Sequence, residues 1–189
     1  MSLPDWLQDD AEQVAPRLLG CKLHVIRGGE ELSGIIVETE AYDQTDAASH
    51  TYRGQTPRNS SMFGPAGRLY VYFTYGMHFC CNVVAGKDGF GSGVLIRAIE
   101  PVAGLEYMKR RRGGRSGHEL TNGPGKTCQA LGINREDNGH DLSRPPILLE
   151  ASQPLENSQI VRTTRIGISN DKHRPWRFYI KDNPYVSRP

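Results

Sequence analysis

The chain has 189 residues, of which 37% are hydrophobic and 23% charged. Such proportions exclude a disordered chain, and the length suits one well-buried core better than two. No apolar run approaches the ~18 residues of a membrane-spanning helix, Met1–Gln13 is too acidic and polar for a signal peptide, and a net charge of +2 assigns no partner by itself. A single domain over residues 1–189, free of the membrane, is therefore expected.

In chain order, "DDAEQVAPRLLG" (9–20) predicts a short helix closed by Gly20. Strands follow near Lys22–Ile26 and Glu31–Thr39, joined by a turn at Arg27–Gly29. The second strand runs into "GIIVETEAYDQTDAASH" (34–50), where Glu38, Glu40 and Tyr42 stand two residues apart. Side chains alternate along a strand, so these three point one way, with Ile36 behind them. A face with two carboxylates and a ring is a poor core; it is either solvated or a site. Residues 43–68 read as a long irregular loop, consistent with 21 Gly and 12 Pro in the chain.

"RLYVYFTYGMHFCCNVVAG" (68–86) predicts a hairpin, with strands Leu69–Phe73 and His78–Val84 around a turn at Thr74–Met77. Tyr70 and Tyr72 share a face and are ordinary strand formers. Tyr75 is different, because a ring exposed at a hairpin tip gains the fold nothing. With Met77 it fits an apolar wedge entering a base stack. "GVLIRAIEP" (93–101) predicts another strand, and Gly104–Arg112 and Lys126–Leu131 predict helices. "PILLE" (146–150), "TTRIGIS" (163–169) and "WRFYIKD" (176–182) complete the strands. The fold class expected is α+β: a curved, mostly antiparallel sheet with peripheral helices and a protruding β-hairpin.

The four cysteines form no CxxC pair, and Cys80 and Cys81 fall on opposite faces of one strand; reduced thiols are expected, without a metal site. Positive charge gathers in "KRRRGGR" (109–115) and at Arg53, Arg58 and Arg68, which reads equally as solvated surface or as a phosphate-contacting region. "NGPGKT" (122–127) is not a P-loop, since Leu120 stands where that motif needs glycine. It reads instead as a glycine turn feeding a helix, with Lys126 facing an anion or merely capping the turn. Glu38 and Glu40, about 6.6–6.8 Å apart on a strand, fall within the carboxylate spacing of glycosidases. Side chains leaving one strand in parallel cannot flank one bond, so only one of them is expected at a reacting centre.

Taken together, "IIVETEAY", "ASH", "QTPRNSSMFGPAGRLYVYFTYGMHFCCNV", "VLIRAIEP", "NGPGKTCQALGI" and "WRFYIKDNPYVS" resemble, in order, the alkyladenine (3-methyladenine) DNA glycosylase family, from Leu18 to Ser187. The resemblance implies a monofunctional enzyme without a cofactor. It would flip damaged purines (3-methyladenine, 7-methylguanine, hypoxanthine and ethenoadenine) out of double-stranded DNA and hydrolyse the N-glycosidic bond. It also implies that Glu40 activates water with the help of Arg97, and that Tyr42, His50, Tyr72 and Asn82 form the base pocket. Tyr75 and Met77 would enter the duplex, while Arg58, Lys126, Arg110 and Arg111 would approach the DNA backbone. Mammalian members typically carry Ser where Gly125 stands, so one phosphate contact would be replaced, and the Tyr42–His50 spacing is a residue shorter here than in them. A monomer in the cytoplasm, nucleoid-associated in a bacterium, is expected. The competing class is a non-catalytic nucleic-acid-binding module, which would have no purpose for Glu40 beside Tyr42.

Overall fold

The computed structural model describes residues 2–188. A 3-10 turn (Asp5–Gln8) leads into helix α1 (Ala11–Arg17), then strands β1 (Lys22–Arg27) and β2 (Glu30–Asp43). Gly28 and Gly29, at φ 59° and 80°, make the left-handed turn that a side chain would resist. The hairpin comprises β3 (Leu69–Thr74) and β4 (His78–Val84) and is followed by β5 (Ser92–Ala103), α2 (Leu105–Arg111), α3 (Pro124–Leu131), β6 (Ile147–Glu150), β7 (Ile160–Thr163) and β8 (Arg177–Ile180). Every strand pairing is antiparallel, in the order β3-β4-β5-β2-β1-β6, with β8 added to β2 and β7 to β8. The architecture is the mixed α+β arrangement that the sequence predicts.

The strand expected at "TTRIGIS" is not formed. β7 ends at Thr163, and residues 164–169 run as a loop. Gly167 turns at φ 77°, and the Ile166 N–H is donated to the Glu40 carboxylate instead of a neighbouring strand. The helix expected over Gly104–Arg112 does form, as α2, so Lys109–Arg111 of the basic run "KRRRGGR" are helical and its glycine-containing turn follows from Arg112.

β2 organises the sheet. Its first half pairs with β1, its second half with β8, and both halves with β5. The β2–β5 register slips three times: Val102 is an extra residue between Ser33↔Ala103 and Gly34↔Pro101, Val37 between Ile36↔Ile99 and Glu38↔Ala98, and Arg97 before Thr39↔Ile96. A bulge reverses which face the following residues occupy. Consequently Ile36 does not line up behind Glu38 as the simple alternation predicts; it joins Ala41 in the core. That core lies between the sheet and the helices, with Val14 and Ala15 of α1 and Cys128 and Leu131 of α3 packed on Leu23, Ile96 and Ile99. Thr39, on the core side of β2, donates its hydroxyl to the Ala15 carbonyl at 2.9 Å.

Glu38 is completely buried, which demands compensation. Its Oε1 accepts from Arg97 Nε at 2.9 Å, Arg177 Nε at 2.7 Å and Ser187 Oγ at 2.9 Å, while Oε2 accepts from the Ser187 N–H at 2.7 Å. One carboxylate thus ties β2 to β5, β8 and the chain segment after β8. Burial pushes its pKa up, but Arg97, the Ser187 N–H and Arg177 outweigh that and hold it below the ordinary 4.5. A depressed carboxylate contributes stability that is complete above its unfolded-state pKa and fades as pH falls below it. Glu38→Gln, which leaves two buried guanidinium groups undercompensated, should lower unfolding free energy by about 3–5 kcal/mol at neutral pH. In urea titrations the gap to the wild-type protein should narrow as pH drops below 4.5, where the wild type loses the same charge; a gap independent of pH contradicts this account.

Candidate active site

The second half of β2 meets β3, β4 and β5 around a cavity of about 330 Å³, closed by the loops carrying Ala48–His50 and Ile166–Ile168. The volume lies at the small end of the range of about 300–1,000 Å³ for small-molecule sites. Glu40, Arg97, Tyr42, His50, Tyr72 and Asn82, six positions that the sequence singles out, all line it, and Tyr75 stands at its edge. They come from β2, β3, β4, β5 and the 43–68 loop, brought together by the sheet.

Glu40 is fully buried. Its Oε1 accepts from the Ile166 N–H at 2.8 Å and lies 3.2 Å from Arg97 Nη1, and its Oε2 accepts from the Tyr42 hydroxyl at 2.7 Å. A carboxylate offers about four lone-pair sites, so two hydrogen bonds and one ion contact leave acceptor capacity for a molecule in the cavity. Glu38, with four protein donors, has none to spare. The two carboxylates that sequence alone leaves equivalent are thereby separated: Glu38 is structural, and Glu40 faces the cavity. Burial, and then Glu40 itself, raise the Tyr42 phenol well above its ordinary pKa, so it stays protonated and donates to Glu40.

The ring wall on the β3 side is a cluster. Tyr70 and Tyr72 stack at 5.5 Å and 23°, and His50 meets Tyr72 edge-on at 4.5 Å, with its Nδ1 3.1 Å from the Tyr70 hydroxyl. His50 therefore packs against Tyr72 and Tyr70. Burial and then Arg58 lower the His50 pKa from its ordinary 6.5, which leaves the imidazole neutral at neutral pH. Cys80, beside Tyr72, is raised to about 11, chiefly by burial, so it remains a thiol. Asn82 sits between Tyr70 and Leu95 in the β3–β4–β5 register and directs Nδ2 toward the Tyr70 carbonyl at 3.4 Å.

At the rim, Tyr75 is 82% and Met77 72% exposed. Tyr75 (φ 52°) and Gly76 (φ 66°) are both left-handed, and the Met77 N–H closes the turn on the Thr74 carbonyl at 3.2 Å. Holding a tyrosine in that region costs about 1–2 kcal/mol relative to glycine, a cost the fold has no need of at an exposed tip. Arg58 braces the hairpin from outside, with Nη2 3.4 Å from the Phe73 carbonyl. Lys126, in the first turn of α3, donates to Asn122 Oδ1 at 2.7 Å. A Cβ built on Gly125 would stand 3.0 Å from the His78 Cβ, a tight contact that a side chain there could keep only if His78 gave way by a few tenths of an ångström.

The basic segment divides. Arg110 is exposed and lies over the Tyr107 ring, 4.1 Å from its centroid. Arg111 turns inward to the Ala130 carbonyl at 3.4 Å, and Arg112 donates to the Leu120 carbonyl at 3.1 Å. These two guanidinium groups tie α2 and the residue after it to α3 and the preceding turn, and Arg111 remains half-buried.

Several residues escape sequence reasoning. Arg165 lies behind Tyr42, 4.6 Å from its ring centroid, and pairs with Asp46; Ile166 supplies a donor to Glu40; Ser187 and Arg177 saturate Glu38. They are distant along the chain from the motifs they support. A buried arginine in an otherwise strand-like run is the one local irregularity that could have flagged the 164–169 loop.

Comparison with known proteins agrees with this geometry. Residues 5–184 match the family described as "Methylpurine-DNA glycosylase (MPG)". A Carboxydothermus hydrogenoformans protein named "Putative 3-methyladenine DNA glycosylase" is 53% identical over 176 residues, 93% of this chain and 92% of the relative. Proteins of the same name from Methanoculleus marisnigri, 49% identical over the whole of both chains, and Francisella tularensis, 50% identical over 92% of each, are also similar. A match that spans nearly the whole chain, with the ring-lined cavity and its carboxylate inside it, establishes that this chain belongs to the methylpurine-DNA glycosylase family.

Proposed function

We propose that the protein excises alkylated and deaminated purines from duplex DNA by hydrolysing the N-glycosidic bond with a water activated by Glu40. The observation that carries this reading is the buried Glu40 carboxylate, held by two hydrogen bonds and the Arg97 cation with acceptor capacity left toward a ring-lined cavity. A pure binding module gains nothing from it, because a carboxylate repels phosphate.

A base within a duplex conceals its glycosidic bond, so the nucleotide has to be extruded at a cost of a few kcal/mol. Tyr75 and Met77, exposed on a braced tip, would fill the space it leaves. Stacking on aromatic rings contributes roughly 1–3 kcal/mol per base, comparable with that cost, so lesions that weaken pairing are the ones retained. Tyr42 and the Tyr72–His50 wall would hold the base, while Arg58, Lys126 and Arg110 stand where phosphates would pass. Asn82, with Nδ2 held toward Tyr70, would leave the guanine amino group without a partner, which costs on the order of 1–3 kcal/mol.

As the C1′–N bond breaks, its electron pair leaves with the base, and an alkylated, cationic purine departs neutral. Positive charge grows on the sugar, where Glu40 stabilises it. The water oxygen bonds to C1′ and its proton passes to Glu40. Arg97, fixed by Glu38, keeps the Glu40 oxygen oriented. No lysine lines the cavity among the described residues, which supports water rather than an amine as the nucleophile, hence no Schiff base and no strand cleavage.

Glu40→Gln should still bind lesion-containing duplex but release purine about 10²–10⁴-fold more slowly; full activity in single-turnover assays of methylated and deaminated duplexes would remove Glu40 from the mechanism. Tyr75→Ala should slow excision of a stably paired lesion by about tenfold or more and leave excision from single-stranded DNA nearly unchanged. Equal effects on the two substrates would discard the wedge.

A further inference from the structure

Both side chains of the Arg165–Asp46 ion pair are fully buried. Such a pair adds little stability over an apolar one, because desolvating two charges offsets their attraction. Its bonding is also incomplete: Arg165 Nη1 reaches the Ala41 carbonyl at 3.0 Å, yet Nε finds no acceptor among the described residues. What the pair does occupy is the outer side of a cavity wall. The Arg165 guanidinium lies 4.6 Å from the centroid of Tyr42, Tyr42 lines the cavity and Arg165 does not. The cation therefore sits on the ring face turned away from a bound base. Asp46 fixes it there and also accepts the Ala48 N–H at 3.0 Å, holding the loop that closes the same cavity.

A cation on one face of an aromatic ring draws π density toward itself. The opposite face becomes less attractive to a second cation and more attractive to a neutral, electron-rich ring. A direct repulsion between guanidinium and a cationic base acts in the same sense, little screened in a buried site. Resting on the glycosylase reading above, we propose that Arg165 is a specificity-determining residue. Acting through Tyr42, it shifts the cavity's preference from cationic alkylated purines toward neutral lesions. Glu40 alone would favour cationic guests; Arg165 on the far side of Tyr42 offsets that bias, so one cavity serves both classes.

The test compares single-turnover excision of 7-methylguanine (cationic) and hypoxanthine (neutral) from otherwise identical duplexes. Two variants are compared with the wild-type protein: Arg165→Lys, which keeps the cation, and the neutral pair Arg165→Gln with Asp46→Asn, which leaves no orphan charge. Thermal melts show that each is folded. In the neutral pair the cationic-to-neutral rate ratio should rise about three- to tenfold, while Arg165→Lys keeps the wild-type ratio within about twofold even if both rates fall. In the neutral pair, equal slowing on both lesions would mark the ion pair as merely structural and overturn the proposal, as would a ratio moving the other way. Should the neutral pair not fold, Arg165→Gln alone takes its place: its ratio should rise in the same sense, and an unchanged ratio overturns the proposal. Failure of the wild-type protein to excise either base would instead sink the glycosylase reading, a distinguishable result.

Discussion

The site depends on one guanidinium. Arg97 stands at a bulge in β5 opposite a bulge in β2, and from there contacts both Glu38 and Glu40. Two carboxylates two residues apart on one strand repel each other, and burying both without a cation between them would drive one to bind a proton. Arg97 removes that conflict. Its Nε is committed to Glu38, which fixes where Nη1 points. Glu38 is in turn saturated by Arg177 and Ser187, so the arrangement is rigid on the side away from the cavity and open only at Glu40. Chemical difference between two identical side chains thus arises from the number of donors each receives.

That rigidity contrasts with the rim. The floor of the cavity is ordered sheet, whereas Tyr75, Gly76 and Met77 project from a three-residue tip with strained backbone and exposed side chains. The contrast follows from the hairpin: β3 and β4 contribute Tyr72, Cys80 and Asn82 to the cavity, while the turn between them carries the exposed Tyr75 and Met77.

Much of this was legible in the chain. Strict alternation around Glu38, Glu40 and Tyr42 marked an anomalous strand face, and "YVYFTYGMHF" located the hairpin and its tip correctly. Other features resisted for physical reasons. A bulge is a property of two strands in register, so nothing in "GIIVETEAY" alone reveals that Val37 is the extra residue and that Ile36 turns into the core. Alternating apolar residues in "TTRIGIS" imitate a strand, yet over residues 164–169 only Arg165 is buried and Gly167 turns the chain. The basic run looked uniform, yet only packing against α3 determines that Arg111 and Arg112 point inward while Arg110 does not. Choosing Glu40 over Glu38 from sequence required the family resemblance, because local pattern treats them alike.

The close approach of Gly125 to His78 couples the two positions. Position 125 lies in the first turn of α3, and position 78 begins the returning strand just past the hairpin tip, so the two share one small volume. A hydroxymethyl group at the first would press on the imidazole at the second, which would have to yield by a few tenths of an ångström. The tolerance of either position to substitution therefore depends on what occupies the other.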